Sequence, residues 1–343
     1  MNETLRMGVI GAGWFASRRH LPDIQAHPEL TLASLCRRDT SALARLAERF
    51  APEQTYTDWE EMLDRSQLDA VLIATPHSLH YEQARAALER GIHVLLEKPM
   101  AVRAEEAREL RELAVKKGLV LGVALNPPFW AHCHRIRGAI QAGRIGQIEA
   151  VELFWTGNAG YVFGETPKPA DLPGVVPPTM YRADPQLCGG GYLIDGGSHL
   201  VSELLWTTNL RALRVACLMD RLPSDRRASL VLELDNGAQA TILCVGNSEH
   251  DRRVRNAFAG SAGTITVEGP AFETTIHEAQ GELESFRESD LPPVAGPVAN
   301  FVDAIRGRGS LFSPAEHGVH VTEVVEAAYI SAETGQAVEL LKR

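Results

Sequence analysis

The 343-residue chain lacks most of the devices by which proteins meet membranes, nucleic acids or metals. No apolar run approaches the ~20 residues that cross a bilayer. Its five cysteines (Cys36, Cys133, Cys188, Cys217, Cys244) are scattered, odd in number and contain no C-x-x-C. That placement points to reduced thiols rather than a disulfide framework or a zinc site. Basic residues are in deficit: 34 Lys and Arg against 44 Asp and Glu leave a net charge of −10. Such a chain has no overall field for nucleic acid or anionic lipid. Internal repeats and low-complexity segments are absent. Met1–Arg6 is short, polar and runs straight into an apolar strand, so no signal peptide is expected and a cytoplasmic location is. His132/His134 and His317/His320 hint at ligand pairs, but no carboxylate or cysteine completes a convincing set, and no metal is expected.

What is present is enough length for two ordinary domains. Residues 1–125 alternate short apolar strands with helical patterns, the signature of a parallel α/β sheet. Strands are predicted at Arg6–Ile10, Leu30–Cys36, Ala70–Ala74, His93–Leu96 and Val120–Ala124, and helices at Phe15–Ala26, Thr40–Phe50, His80–Arg90 and Ala104–Lys117. The texture then changes. Gln147–Thr156, Ala228–Leu234, Ala238–Val245, Arg253–Ala259 and Thr264–Glu268 read as consecutive strands, which predicts a largely antiparallel sheet over 126–343. Asn158–Gly191 is a long Gly- and Pro-rich loop of the kind that is usually functional, and Pro314–Glu333 is an amphipathic helix.

Gly11-Ala12-Gly13-Trp14-Phe15-Ala16 is a G-x-G-x-x-A run between the first strand and the first helix. Gly11 permits the tight turn, and Gly13 lets the backbone approach a pyrophosphate held at the helix N-terminus. Gly11, Gly13, Trp14 and Phe15 are therefore expected cofactor contacts. The second strand ordinarily ends in an acid that holds the ribose of NAD. Here it ends in Arg37 and Arg38, whose guanidinium groups suit a 2′-phosphate. NADP is the favoured cofactor. NAD is the alternative if Asp39 takes the ribose rather than capping the next helix.

Thr75, Pro76 and His80 follow a strand whose carboxyl end belongs to the ligand crevice of such sheets. Thr75 and Pro76 are expected on the nicotinamide side, and His80, which opens the next helix, is counted with them as a cofactor contact. Glu97-Lys98-Pro99 ends another strand; the lysine can polarise a hydroxyl or carbonyl oxygen, and the proline rigidifies the turn, with a cis bond open to it. Asp195 and His199 lie four apart after the triple glycine Gly189–Gly191, on one face if Tyr192–Trp206 is helical. His199 titrates in the range suited to moving a proton near neutrality. A buried structural Asp–His hydrogen bond is the plainer reading of that pair alone. Beside Lys98 and a dinucleotide loop, catalysis is the better one.

In these motifs, and in the closing Ser331-Ala332-Glu333-Thr334-Gly335, the chain resembles the glucose–fructose oxidoreductase / inositol dehydrogenase (Gfo/Idh/MocA) family along nearly all its length. The resemblance implies an N-terminal Rossmann domain (1–125) and a C-terminal α/β domain (126–343) built on a large open sheet. That sheet commonly forms a homodimer or homotetramer interface, and the last helix, about 314–333, is implied to pack back on the Rossmann domain. It also implies that Lys98 is the catalytic lysine, with Asp195 and His199 as its partners and His199 as proton donor or acceptor. Hydride would pass between the nicotinamide and a carbinol or keto carbon of a sugar or polyol, with Glu97 and Lys98 near the cofactor. Two places depart from the family pattern. Asn126-Pro127-Pro128-Phe129-Trp130 stands where Asn with arginines is common, so Phe129 and Trp130 are offered to a sugar ring instead. Tyr181-Arg182 stands where Trp-Arg is often seen, which makes Arg182 a candidate for a substrate hydroxyl, carboxylate or phosphate. Two other functions compete with the oxidoreductase: a redox-assisted glycoside hydrolase holding NAD tightly, and a non-catalytic cofactor sensor. Arg37 with Arg38 argues against the first, and the intact Lys98, Asp195 and His199 against the second.

Overall fold

The computed structural model describes residues 4–167, 173–250, 252–281 and 283–340. Its contacts divide the chain into two units: Met1–Ala124 with Tyr161–Cys188 and Ala295–Val319, and Leu125–Gly160 with Gly189–Val294 and His320–Arg343. The first break falls beside the boundary expected at 125. The two later excursions were not foreseen.

In the first unit, apolar runs too short for anything but strands form β1 (Leu5–Ile10), β2 (Leu30–Cys36), β3 (Gln54–Tyr56), β4 (Ala70–Ile73), β5 (His93–Leu96) and β6 (Leu121–Val123). They lie in the order 3-2-1-4-5-6, every neighbouring pair parallel. Val71, Leu72 and Ile73 have no exposed surface, as a strand covered on both faces requires. The helix Thr40–Phe50 turns Ala42, Leu43, Leu46 and Phe50 inward and is capped by Asp39, whose carboxylate accepts from Ala42 N. The helix Ala104–Lys117 stops at Gly118, which takes the left-handed conformation that ends helices.

The last helix runs Ala315–Thr334, close to its predicted bounds, and its residues up to Val319 belong to the first unit, where a Cβ on Gly318 would stand 2.7 Å from the Val123 side chain. The helix that fills the Rossmann core is Pro297–Ile305, through Val298 and Phe301, packed with Met7, Leu35, Leu72 and Leu95. Its nine residues are too few for a period to stand out beside the longer helix that follows.

The second unit is a nine-stranded sheet: β7 (Ile148–Thr156), β8 (Ala212–Met219), β9 (Arg227–Leu234), β10 (Gln239–Val245), β11 (Arg253–Gly260), β12 (Gly263–Glu268), β13 (Glu273–Glu278), β14 (Leu283–Phe286) and β15 (Val338–Glu339). The order is 14-13-12-11-7-10-9-8-15. All pairs are antiparallel except β7 with β10. Strict alternation buries one face, as with Ala228, Leu230, Leu232 and Leu234 of β9. The helix Ser198–Thr208 packs on β7 and against the helix Ala131–Gln141.

Within the predicted loop Asn158–Gly191 the chain forms short turns at Gly160–Phe163, Tyr181–Ala183 and Pro185–Cys188; residues 168–172 lie outside the described set. All five cysteines are buried and none forms a disulfide. Among the described residues no helix is long and apolar enough to cross a membrane.

Candidate active site

The strand order of the first unit reverses between β1 and β4, and the glycine loop follows β1 at that switch point. Gly11 holds φ +79°, and a Cβ there would stand 2.7 Å from the backbone of Ala74 and Thr75, so no other residue fits the turn. At Gly13 the nearest atom to such a Cβ is Arg37 Nη1, at 3.5 Å. Arg37 is thus drawn in beside the loop, where its Nη1 donates to the Ala12 carbonyl (3.1 Å). Burial pushes its pKa down, against the nearby Asp39 charge. Arg38 is exposed. Asp39 spends Oδ1 on Ala42 N (3.0 Å) and the Ser41 hydroxyl (2.8 Å), and its Oδ2 stands 3.9 Å from Arg37. The acid two places late is a helix cap. Trp14 meets Tyr161 edge-on at 6.2 Å, and Phe15 is partly exposed at the start of a helix whose first turn, Ala16–His20, is π-wound.

At the end of β4, the Thr75 hydroxyl donates to Gln83 (2.6 Å) and Pro76 is half-buried. His80, counted above among the cofactor contacts, is fully buried. Its Nδ1 lies 2.7 Å from the Pro99 carbonyl oxygen and its Nε2 3.0 Å from that of Thr75. Burial lowers its pKa, although both carbonyls favour the charged form. With each nitrogen on backbone, the ring ties the β4 turn to the β5 turn and has nothing left for a ligand. Glu97 is likewise turned inward, with Oε1 2.6 Å from His20 Nε2 and Oε2 accepting from Lys98 N (3.2 Å). Burial alone would raise its pKa; the His20 hydrogen bond and the His20 and Lys98 charges bring it below the ordinary value. Both Glu97 oxygens thus hold the turn that carries Lys98. Lys98 is half-buried and Lys98–Pro99 is cis.

Sequence reasoning gave His77 no role, yet this ring anchors the segment bearing Arg182. His77 Nδ1 donates to the Cys188 carbonyl (2.8 Å), which leaves Nε2 to accept from the Tyr181 hydroxyl (3.0 Å). The Arg182 guanidinium lies over the Tyr181 ring at 4.6 Å.

In the second unit the Asp195–His199 segment is held from behind by Asp225. A Cβ on Gly191 would come within 2.3 Å of the Asp225 backbone. That approach lets the buried carboxylate accept from Gly191 N (3.1 Å), Leu193 N (2.8 Å) and the Tyr329 hydroxyl (2.5 Å). Burial raises the pKa of Asp225 and these hydrogen bonds oppose the rise. The predicted single helix Tyr192–Trp206 is two windings: a π turn at Leu193–Gly197 carrying Asp195, then the α-helix Ser198–Thr208 carrying His199. Both side chains are buried. Asn126 Nδ2 is 3.5 Å from His199 Nε2, and the Trp130 ring lies 6.5 Å from the imidazole. Trp130 in turn meets Trp155 (6.2 Å) and Phe272 (5.3 Å). Phe129, on the short turn Pro127–Phe129, is half-buried.

One turn beyond His199, Glu203 is buried and accepts from Asn256 Nδ2 (2.7 Å); burial raises its pKa. Its i+4 spacing from His199 was the signal available in the sequence. Contrary to the expectation that no carboxylate or cysteine accompanies His132, Cys133 and Glu203 lie with it, their ligand atoms within 4.8 Å of one another. The chain brings them together from two packed helices. Glu288 takes the Nδ1 side of His132, and Cys133 Sγ is 3.4 Å from its Nε2.

A glycine loop at the switch point of a 3-2-1-4-5-6 parallel sheet defines the dinucleotide-binding Rossmann class. Residues 5–125 match the model of the oxidoreductase family with an NAD-binding Rossmann fold, and residues 133–266 match the GFO/IDH/MocA C-terminal domain. The chain belongs to the Gfo/Idh/MocA family of NAD(P)-binding oxidoreductases. It is similar to the dTDP-3,4-didehydro-2,6-dideoxy-alpha-D-glucose 3-reductase of Streptomyces antibioticus, 29% identical over 336 residues that cover 94% of this chain and 95% of that one. It is also similar to the D-xylose 1-dehydrogenase (NADP(+)) 2 of Haloferax volcanii, at 28% over 344 residues covering 98% and 100%. In fold it is like a solved levoglucosan dehydrogenase in complex with NADH, with a TM-score of 0.83 at 20% identity, covering 99% and 100%.

Proposed function

We propose that the protein is an NADP-dependent oxidoreductase that moves a hydride between nicotinamide and a carbinol or keto carbon of a sugar, sugar derivative or polyol. The observation that carries this reading is the pairing of the buried His199 with the half-buried Trp130, with Asp195 in the turn before it. The bound nicotinamide supplies the hydride acceptor or donor. The protein's own residues handle the rest. Gly11 and Gly13 bring backbone to the pyrophosphate, and Arg37 and Arg38 take the 2′-phosphate. In the oxidising direction His199 accepts the hydroxyl proton as the C–H bond gives up its hydride; in the reducing direction it returns a proton to the carbonyl oxygen. Lys98 holds that oxygen through a charge-assisted hydrogen bond as negative charge develops on it. Asp195 biases the protonation of this set, and Trp130, with Phe129 and Arg182, orients the sugar. The enzyme works in the cytoplasm as a homodimer or homotetramer joined through the open face of the nine-stranded sheet.

The test is a pair of substitutions, His199→Ala and Lys98→Ala, assayed with a panel of keto-sugars and polyols. Loss of a positioned proton donor costs about 10²–10⁴ in kcat, while NADPH affinity by fluorescence titration stays within a few-fold. Wild-type turnover in both variants would remove the assignment.

A further inference from the structure

The face that holds His199 also holds a cation, Arg252, with no ion-pair partner among the described residues. Arg252, at the entry to β11, places its guanidinium 3.9 Å from the centre of the Trp155 ring and 4.6 Å from that of Phe272. Those are the two rings that also flank Trp130, the neighbour of His199. Nε and Nη2 are enclosed with no hydrogen-bond partner among the described residues, and no carboxylate there forms an ion pair with the group. Several other guanidinium groups find acids: Arg135 and Arg144 share Glu284, and Arg308 takes Glu29. Glu203 lies near enough to Arg252 to raise its pKa, but burial is the larger influence and lowers it. Burial also raises the Glu203 carboxyl, against the His132 and Arg252 charges and the Asn256 hydrogen bond that lower it. A guanidinium withdrawn from water with most of its donors unused is costly unless a partner arrives.

We propose that Arg252 is an anion-binding residue of the substrate site, receiving a carboxylate or phosphate carried by the sugar whose ring packs on Trp130. Stacked between Trp155 and Phe272, the guanidinium is fixed in plane, and a planar fork is suited to paired hydrogen bonds with anionic oxygens. The aromatic faces supply the cation with attraction in the meantime. A neutral sugar would leave those donors unmatched. The preferred substrate class is therefore an acidic sugar: a sugar acid, a sugar phosphate or a sugar nucleotide. The inference rests on the reading that the His199 face receives the substrate.

The experiment is isothermal titration calorimetry of the enzyme saturated with NADP+, using D-glucose, D-glucuronate and D-glucose 1-phosphate as probes. At least one charged probe should bind tenfold or more tighter than glucose, and raised salt should shrink the gap. Which charged probe wins separates carboxylate from phosphate. Arg252→Gln should abolish the preference with the cofactor dissociation constant and Tm unchanged, and Arg252→Lys should retain part of it. Equal binding of neutral and charged probes, no binding of either charged probe, or a preference that survives Arg252→Gln would each overturn the proposal. Hydride transfer to NADP+ followed at 340 nm separates the two readings. Turnover of neutral and acidic sugars at equal kcat/KM overturns the anion site and leaves the oxidoreductase standing. Arg252-dependent binding without any turnover does the reverse.

Discussion

Single residues decide which cofactor this fold accepts. Arg37 is placed by two neighbours: the Ala12 carbonyl that its Nη1 bonds and the open Gly13 beside it. Asp39, the competing ribose ligand, has committed Oδ1 to capping a helix. Arg37→Asp exchanges a phosphate-attracting charge for a phosphate-repelling one. It should move the NADP/NAD preference toward NAD by one or more powers of ten, about 1.4 kcal/mol for each. Parallel titrations with NADPH and NADH read the ratio, and an unchanged ratio would mean that another group sets it. The residue scale is also where sequence reading was least secure. Arg37 stood out in the sequence because the strand-end position ordinarily carries the acid that holds the ribose. For His80 and Glu97 a motif position states that a polar side chain is present, not which way it turns. Inside the protein one binds two backbone carbonyls and the other binds His20.

At the scale of elements, pH acts through the helix Ala315–Thr334. His320 is buried on it, and its Nε2 accepts from Ala212 N at 3.2 Å, a bond only the neutral ring can make. Burial, helped by the Arg211 charge, lowers its pKa to about 4 from the ordinary 6.5. Between those two values the unfolded chain binds a proton that the folded chain refuses. Stability therefore falls as pH drops from about 6.5 to about 4, at roughly 1.4 kcal/mol per pH unit for this group. His320→Gln, which keeps an acceptor for Ala212 N, should remove about 2 kcal/mol of the stability difference between pH 7 and pH 5. Urea unfolding of both proteins at the two pH values measures it, and identical slopes would acquit His320. Elements were the most legible level of the sequence wherever a period had room to show. Leu30–Cys36, Thr40–Phe50, His93–Leu96 and Ala104–Lys117 have the bounds read from pattern alone. β3, at three residues, and the seven-residue helix Trp59–Arg65 were missed because neither completes enough turns or alternations to register. The π turn at Leu193–Gly197 was missed for a different reason. Asp225 and Tyr329 hold the start of that segment, and both are remote in sequence.

Among the described residues the nine-stranded sheet has exposed positions on one face of β8, β9 and β10. Across that face, register aligns Leu218 of β8 with Ser229 of β9, Ser229 with Leu243 of β10, and Leu243 with Phe154 of β7. Leu218 is 77% exposed and Leu243 37%, with Val231 beside them at 49%. Leu218, Val231, Leu243 and Phe154 thus place one apolar side chain on each of four neighbouring strands around Ser229, and a patch of that kind can mark an interaction surface. The proposed subunit interface accounts for it. Burying the patch against a second copy would remove these side chains from water at ~25 cal/mol per Å² of apolar area. The same self-complementary patch on each copy suits a two-fold pairing. Charges placed in the middle of the patch should then split the assembly without touching the opposite, helix-covered face. The double variant Val231→Asp/Leu243→Asp is expected to sediment as a monomer while the wild-type protein sediments as a dimer or tetramer. Both should give the same NADPH titration, because Gly11, Gly13 and Arg37 belong to the first unit. Analytical ultracentrifugation decides the matter. A monomeric wild-type protein would end the oligomer proposal, and an assembly that withstands both aspartates would place its interface on some other surface.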